Sequence, residues 1–235
     1  MTDKKYKIII TGANGFVGKT LIKQITNFFN PNEILCLVWD KNYNHKKGER
    51  KIIKTAGIKM KRVDLVTKKG LDNLPQNPEL IIHLAAQTDT SNPDHRVNDI
   101  GTINLYNTFA NLDSKTHLIH ISTMVIAAGR TSCKDSINEK TKDYPSNEYT
   151  RTKLNAESYL IKKSHKDGFK LTIFRPNTIY GKGVRKGSLF NIITEMIKNK
   201  SVITKINWPG KSGLIHVDDV VDYIIKAARN KNKPY

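Results

Sequence analysis

Along the chain, short runs rich in Ile, Leu and Val alternate with longer segments whose apolar residues recur every three or four positions. The runs are YKIIIT (6–11), EILCLVW (33–39), IKMKRV (58–63), LIIHLA (80–85), HLIHIS (117–122) and KLTIFR (170–175). Helical periodicity is present near 16–29, 96–112 and 147–164, and in SLFNIITEMIKN and VDDVVDYIIKAAR after the last run. Runs this short, bounded by polar turns, read as buried strands, and strand, helix, strand in repetition specifies a parallel sheet with helices on both faces. The predicted class is therefore α/β, a doubly wound parallel sheet, in which ligands bind outside the carboxyl ends of the strands.

The first run leads directly into TGANGFVG, with Gly12, Gly15 and Gly18 ahead of an amphipathic segment. Glycine serves where the chain turns sharply and where backbone N–H groups approach a pyrophosphate at a helix N-terminus. After the first strand of an alternating pattern, these glycines predict a dinucleotide site of Rossmann type, with a phosphate loop one residue wider than G-x-G-x-x-G. Asp40, immediately after the second run, is placed to accept the ribose hydroxyls. Lys41, Lys46 and Lys47 offer the alternative of a 2′-phosphate, so the expected cofactor is NAD with NADP as the alternative. Asp64, closing the third strand, faces either the adenine or a helix it caps.

Charge changes this picture little. The chain of 235 residues carries 40 Lys+Arg against 21 Asp+Glu, a formal net charge of +19. The lysines are spread over nearly every segment with no aromatic stacking motif among them, which points to a solvated basic surface rather than a nucleic-acid track. No stretch approaches the roughly 20 apolar residues of a membrane span. The two cysteines, Cys36 and Cys133, make neither a disulfide framework nor a metal-ligand spacing. A cytoplasmic protein without nucleic-acid or membrane partners is the expectation. His117 and His120 point to opposite faces of one strand, and His83 and His216 sit in apolar runs, so these histidines read as core or edge residues and no metal site is expected.

Candidate chemistry centres on NEYTRTKLNAE. Tyr149 and Lys153 share a helix face if this segment is helical. The same spacing occurs at Tyr43/Lys47 and Tyr159/Lys163, so spacing alone does not select the pair. Position does: the fifth strand ends in HISTM, bringing Ser122 and Thr123 to the carboxyl edge, and Tyr149 opens the following helix with Ser146 or Asn147 as its N-cap. Tyr159 lies about 15 Å further along the helix on another face. A tyrosine is only about 0.1% phenolate at pH 7, and a neighbouring ammonium is expected to lower its pKa.

Taken together, TGANGFVG, VDL, HLAAQTD, VNDIGTINL, HIST, YTRTK, RPNTIYG and IHVDDVV resemble, in order, the motifs of the extended short-chain dehydrogenase/reductase family, which includes NAD-dependent sugar-nucleotide epimerases and dehydratases. The resemblance covers nearly the whole chain. It implies that Thr123 binds the substrate oxygen, Tyr149 is the acid/base, Lys153 holds the nicotinamide ribose and Asn98 supports the network. It also implies a cofactor lined by Gly12, Asn14, Gly15, Phe16, Val17, Gly18, Asp40, Asp64, Leu65, Leu84, Ala85, Ala86, Tyr149, Lys153 and Pro176. A homodimer through the helices near 96–112 and 147–164 is implied as well. The expected reaction is NAD(P)-dependent oxidation, reduction or epimerisation of a secondary alcohol or ketone in a nucleotide-linked sugar. A carbonyl reductase of a non-sugar substrate and a non-catalytic dinucleotide sensor are the alternatives.

Two departures bear on the substrate. Relatives that catalyse 4,6-dehydration carry Asp-Glu after the strand-end hydroxyl, where this chain has Met124 and Val125. The usual Arg-Pro-x-Asn-x-Tyr-Gly becomes RPNTIYG, with Thr178 in the asparagine position and Asn177 one place early; both are candidate substrate contacts. The glycines of GKGVRKG, with Lys182, Arg185 and Lys186, suit either a substrate diphosphate or a basic surface loop. A dinucleotide-binding domain over 1–176 and a partial substrate-binding region over 177–235 are expected, since relatives continue beyond this chain's end.

Overall fold

A computed structural model describes residues 6–39, 47–109, 112–129, 136–138, 140–184, 187–199 and 213–230. Asp40, Lys41, Lys46, Cys133, Arg185 and Lys186 lie outside the described residues. The six predicted strands are present as β1 (Ile8–Thr11), β2 (Ile34–Trp39), β3 (Lys59–Val63), β4 (Leu80–His83), β5 (His117–Ile121) and β6 (Lys170–Phe174). They form one parallel sheet in the order β3-β2-β1-β4-β5-β6. The order reverses between β1 and β4, the crevice where an open α/β sheet takes its ligand.

The helices are α1 (Phe16–Ile25), α2 (Lys47–Thr55), α3 (Ile100–Thr108), α4 (Glu148–Asp167), α5 (Leu189–Lys198) and α6 (Val217–Arg229). Alternation along the strands sorts the core into two layers. Ile8, Ile10, Cys36, Val38 and Ile82 meet Leu21 and Ile22 of α1, Ile53 of α2 and Val221 and Ile224 of α6. Ile9, Leu35, Leu37, Ile81 and Leu118 meet Leu105 of α3 and Leu160 of α4. Helix α6, drawn from beyond residue 176, thus packs on the main sheet. A second, two-stranded parallel sheet joins β7 (Thr178–Tyr180) to β8 (Leu214–His216).

Helix α2 and the β7–β8 pair are not anticipated by the periodicity. The run ERKIIKTAG contains only two adjacent isoleucines, of which Ile53 is fully buried, and its stop is marked by Gly57 at φ 71°. Three-residue strands such as TIY and LIH are too short to show alternation. Helix α4 begins where predicted: Asn147 accepts from Thr150 N at 2.9 Å, while Thr150 Oγ1 accepts from Asn147 N at 3.1 Å, a reciprocal cap. It ends at Gly168, φ 78°, in the left-handed form that favours glycine.

The tightest junction lies between β1 and α1. Gly12 has φ 66°, and a Cβ there would stand 2.7 Å from Ala85 N and from the Leu84 carbonyl carbon. A Cβ on Gly18 would overlap the Gly12 carbonyl oxygen. A Cβ on Gly168, by contrast, would meet nothing within 4 Å, so only the backbone angle there resists a side chain. Gly18→Ala is accordingly expected to lower the unfolding free energy by about 2 to 3 kcal/mol, the scale of core overpacking. Gly168→Ala should lower it by only about 1 kcal/mol. Urea titration of both variants checks the order.

Candidate active site at the carboxyl edge of the sheet

A cavity of about 590 Å³ opens at the carboxyl ends of β1, β2, β3 and β4. The glycine turn supplies Gly12, Asn14 and Gly15, with Gly15 N donating to Gly12 O at 2.9 Å and serving as the N-cap residue of α1. Of the other predicted cofactor residues, Asp64, Leu65, Leu84, Ala85 and Ala86 line the same cavity. Phe16, Val17 and Gly18 stand in the first turn of α1 instead: Val17 packs on the core and Gly18 closes against Gly12. Asp64 Oδ1 accepts from Val66 N at 2.9 Å and Thr67 N at 3.1 Å, so this carboxylate holds a turn while lining the cavity.

Several lining residues lie outside the quoted motifs: Trp39 at the end of β2, Val66 and Thr67 after β3, and Asn92, Asp94 and Arg96 beyond β4; Gln87 and Val97 lie within HLAAQTD and VNDIGTINL but carry no assigned role there. Trp39, 46% exposed despite its size, follows five buried positions in β2, and an aromatic residue closing an apolar strand beside the glycine turn is the available signal. Arg96 is held by Asp94 through a two-point ion pair at 2.9 and 2.8 Å.

Beyond this cavity, β5 and α4 converge. Thr123 follows β5, is buried, and caps a short turn over Met124–Ile126 by accepting from Val125 N at 3.2 Å. Its hydroxyl lies near that of Tyr149 in the first turn of α4, close enough to lower the phenol's pKa. The two predicted hydroxyls are therefore together. Asn98, fully buried, accepts from Gln87 N at 2.8 Å and donates to Gln87 O at 3.1 Å and Thr152 Oγ1 at 3.2 Å. It thereby ties the segment after β4 to α4. His95, which no sequence motif marks, is buried with its ring centroid 5.8 Å from that of Tyr149.

Lys153 departs from the expected coupling. Its side chain is 1% exposed, and Nζ donates to Ile121 O at 2.6 Å and lies 3.3 Å from His120 Nε2. Burial pulls its pKa down to about 8, against a smaller upward effect of Glu157. The ammonium faces β5 rather than the phenol, and the anticipated lowering of Tyr149 is not what this geometry gives. Burial raises the Tyr149 pKa, with the nearby Thr123 hydroxyl opposing it.

A polar row underlies this region. Thr11, His83 and His120 are register partners across β1, β4 and β5. Thr11 Oγ1 accepts from Ala85 N at 3.1 Å, which leaves its hydrogen for His83 Nδ1 at 2.7 Å. His83 Nε2–H then donates to Thr102 Oγ1 at 2.8 Å, and Thr102 donates to Asn98 O at 2.6 Å. His83 is neutral, its pKa pulled down to about 3 chiefly by burial. His117, on the other face of β5, pairs with Thr172 at 2.8 Å. No cluster of three or more His, Cys, Asp or Glu that would hold a metal ion occurs among the described residues.

On the far side of Thr123, Pro176 O accepts from Met124 N at 3.1 Å. Arg175 binds Asp143 at 2.6 and 2.8 Å and Glu157 of α4 at 2.5 to 3.1 Å. Asn177 is exposed and lies against Gly213, Thr178 opens β7, and Lys182 is exposed after β7. Neither Asn177, Thr178 nor Lys182 lines the cavity. Among the described residues no helix is long and apolar enough to cross a membrane.

Known proteins share this fold. The chain is 26% identical over 234 residues to dTDP-D-glucose 4,6-dehydratase of Dictyostelium discoideum, covering 92% of this chain and 54% of that protein. It is 24% identical over 230 residues to UDP-glucose 4-epimerase of Vibrio cholerae, covering 93% and 65% respectively. It thus spans less than two thirds of either relative. The fold is that of UDP-glucuronic acid 4-epimerase from Bacillus cereus, solved with UDP-glucuronic acid and NAD: TM-score 0.72, 21% identity, covering 96% of this chain and 74% of that one. The model of the NAD dependent epimerase/dehydratase family matches residues 8–235, and the chain belongs to that family.

Proposed function

We propose that this chain binds NAD along the carboxyl edge of the sheet and uses Tyr149 as the acid/base for redox or epimerisation chemistry at a secondary alcohol or ketone of a nucleotide-linked sugar. The observation that carries the reading is the Thr123–Tyr149 hydroxyl pair, with Lys153 buried one helical turn on and the glycine-turn cavity adjoining. The cavity suits a dinucleotide. Gly12, Asn14 and Gly15 line it where α1 begins, so that backbone N–H groups of the glycine turn suit a phosphate, and Asp64, Leu65, Ala85 and Ala86 form walls for the adenosine portion.

Bound NAD would supply a hydride acceptor and donor at the substrate carbon. Within the chain, Thr123 and Tyr149 would share the substrate oxygen, Tyr149 Oη taking its proton as general base and returning one as general acid. Lys153 would hold the nicotinamide ribose, and Asn98 would keep the wall at Gln87 fixed against α4. Asp40 is assigned the adenosine ribose. Thr178, Asn177, Lys182 and Arg185 are assigned to the substrate side. Met124 and Val125 carry no acid or base, so elimination of the 4,6-dehydratase kind is not part of the proposal. The decisive assay is a panel of nucleotide sugars and simple ketones read for both NADH absorbance and product configuration. Inverted product without net absorbance change marks an epimerase, and turnover of simple ketones alone would replace this reading with the carbonyl-reductase one.

Tyr149→Phe is expected to cost at least about a hundredfold in turnover while NAD affinity stays within about threefold. Tyr159→Phe, whose hydroxyl only donates to Asn107 at 2.8 Å, should change little. Because the reactive base is the phenolate and burial raises its pKa, turnover in the oxidation direction should rise with pH, and that limb should vanish in Tyr149→Phe. Stopped-flow rates across pH test both points.

NAD should bind more tightly than NADP, since the Asp40 carboxylate would repel a 2′-phosphate, and Asp40→Ala should narrow the margin; calorimetry with both cofactors measures it. We also propose a homodimer through α3 and α4, where Ile100 and Ile161 are both 42% exposed. Light scattering should give twice the 26.7 kDa chain mass, and a monomer at high concentration would remove the dimer from the reading.

A further inference from the structure

His120 is a costly residue to have in the middle of a sheet. It is fully buried, its Nδ1 has no hydrogen-bond partner among the described residues, and an apolar side chain of similar size would leave no orphan there. What the imidazole offers is Nε2, 3.3 Å from Lys153 Nζ. An ammonium has three hydrogens and no acceptor. Ile121 O takes one at 2.6 Å. Nε2 takes a second only if it is unprotonated, which puts the ring's own hydrogen on Nδ1, the atom left without a partner. The orphan is thus the counterpart of the Lys153 contact.

The groups facing the ammonium come from every element around it. His83 of β4 lies behind His120 with ring centroids 5.2 Å apart and both its nitrogens occupied by Thr11 and Thr102. Glu157, one turn further along α4, is engaged by Arg175. Tyr149, one turn earlier, lies near the Thr123 hydroxyl. Among these, His120 is the group whose side chain contacts Nζ directly.

We propose that His120 is a positioning residue for Lys153: its neutral Nε2 and the Ile121 carbonyl anchor two ammonium hydrogens, keep the buried lysine charged, and leave the third hydrogen for the ribose. The last part rests on the cofactor reading above; the His120–Lys153 pairing does not. The fold contains its own contrast, because His117, three residues earlier, spends its ring on Thr172 at the opposite face.

The tautomer is the direct test. In histidine-labelled parent protein, ¹⁵N NMR should find His120 with Nδ1 protonated and Nε2 bare from about pH 5 to about pH 7, where Lys153 is charged, because burial and the Lys153 charge hold the ring neutral. A hydrogen on Nε2 would overturn the proposal without any variant having to fold. Variants then measure the consequence. With lysine labelling, assigned through Lys153→Met, His120→Leu should move the Lys153 midpoint down by about one pH unit, and calorimetry should show NAD binding weakened about fivefold. His120→Gln, which keeps an acceptor, should restore both to within about twofold of the parent. An unmoved Lys153 midpoint in His120→Leu would overturn the pairing. Should Lys153→Met bind NAD as the parent does, the ribose assignment fails, and the tautomer and midpoint still decide whether His120 holds the ammonium.

Discussion

The close approach of α1 to β1 and β4 at Gly12 sets the rest of the architecture. With Gly18 seated on the Gly12 carbonyl and Gly12 pressed against Leu84 and Ala85, helix α1 starts within the crevice where strand order reverses. Backbone N–H groups at that helix start then face a cavity rather than the core. A single methyl at either glycine would separate the strand pair from the helix, and with it the glycine turn from the segment 84–87 that forms the opposite wall.

The same edge explains why polar residues interrupt otherwise apolar strands. Thr11, His83 and His120 form one row, and each finds a partner from α3, α4 or a neighbouring strand. Buried polar groups are tolerated where hydrogen bonds replace water. Here they form a layer through which Asn98 and Lys153 are held by groups that stay neutral near pH 7.

Much of this is legible in the sequence because the information is local. The six strands lie within two residues of their runs, since short runs bounded by polar turns have few alternative readings, and the Asn147 cap fixes the start of α4. Tyr149 and Thr123 come together because one opens a helix and the other follows the strand before it. The less legible features depend on contacts between distant segments. That Lys153 faces β5 is not visible in the sequence, because its spacing from Tyr149 fixes a shared helix face and not the direction of a long flexible side chain. His83 and His120 read as core residues, which their burial supports, but their hydrogen bonds depend on strand register that no single run contains. Asp40 and Arg185 are assigned from position alone, and lie outside the described residues.

Arg175 ties β6, the segment at Asp143 and helix α4 to one guanidinium, with Asp143 and Glu157 bound on its two sides. The wall beneath Tyr149 is therefore cross-braced, whereas the stretch after β7 carries glycines at φ 137°, 93° and 78° and exposed Lys182. Such a division separates what can drift from what cannot. Descendants of this sequence could substitute the exposed Lys182 with little consequence for the sheet, while any change in the braced wall would have to alter three elements at once.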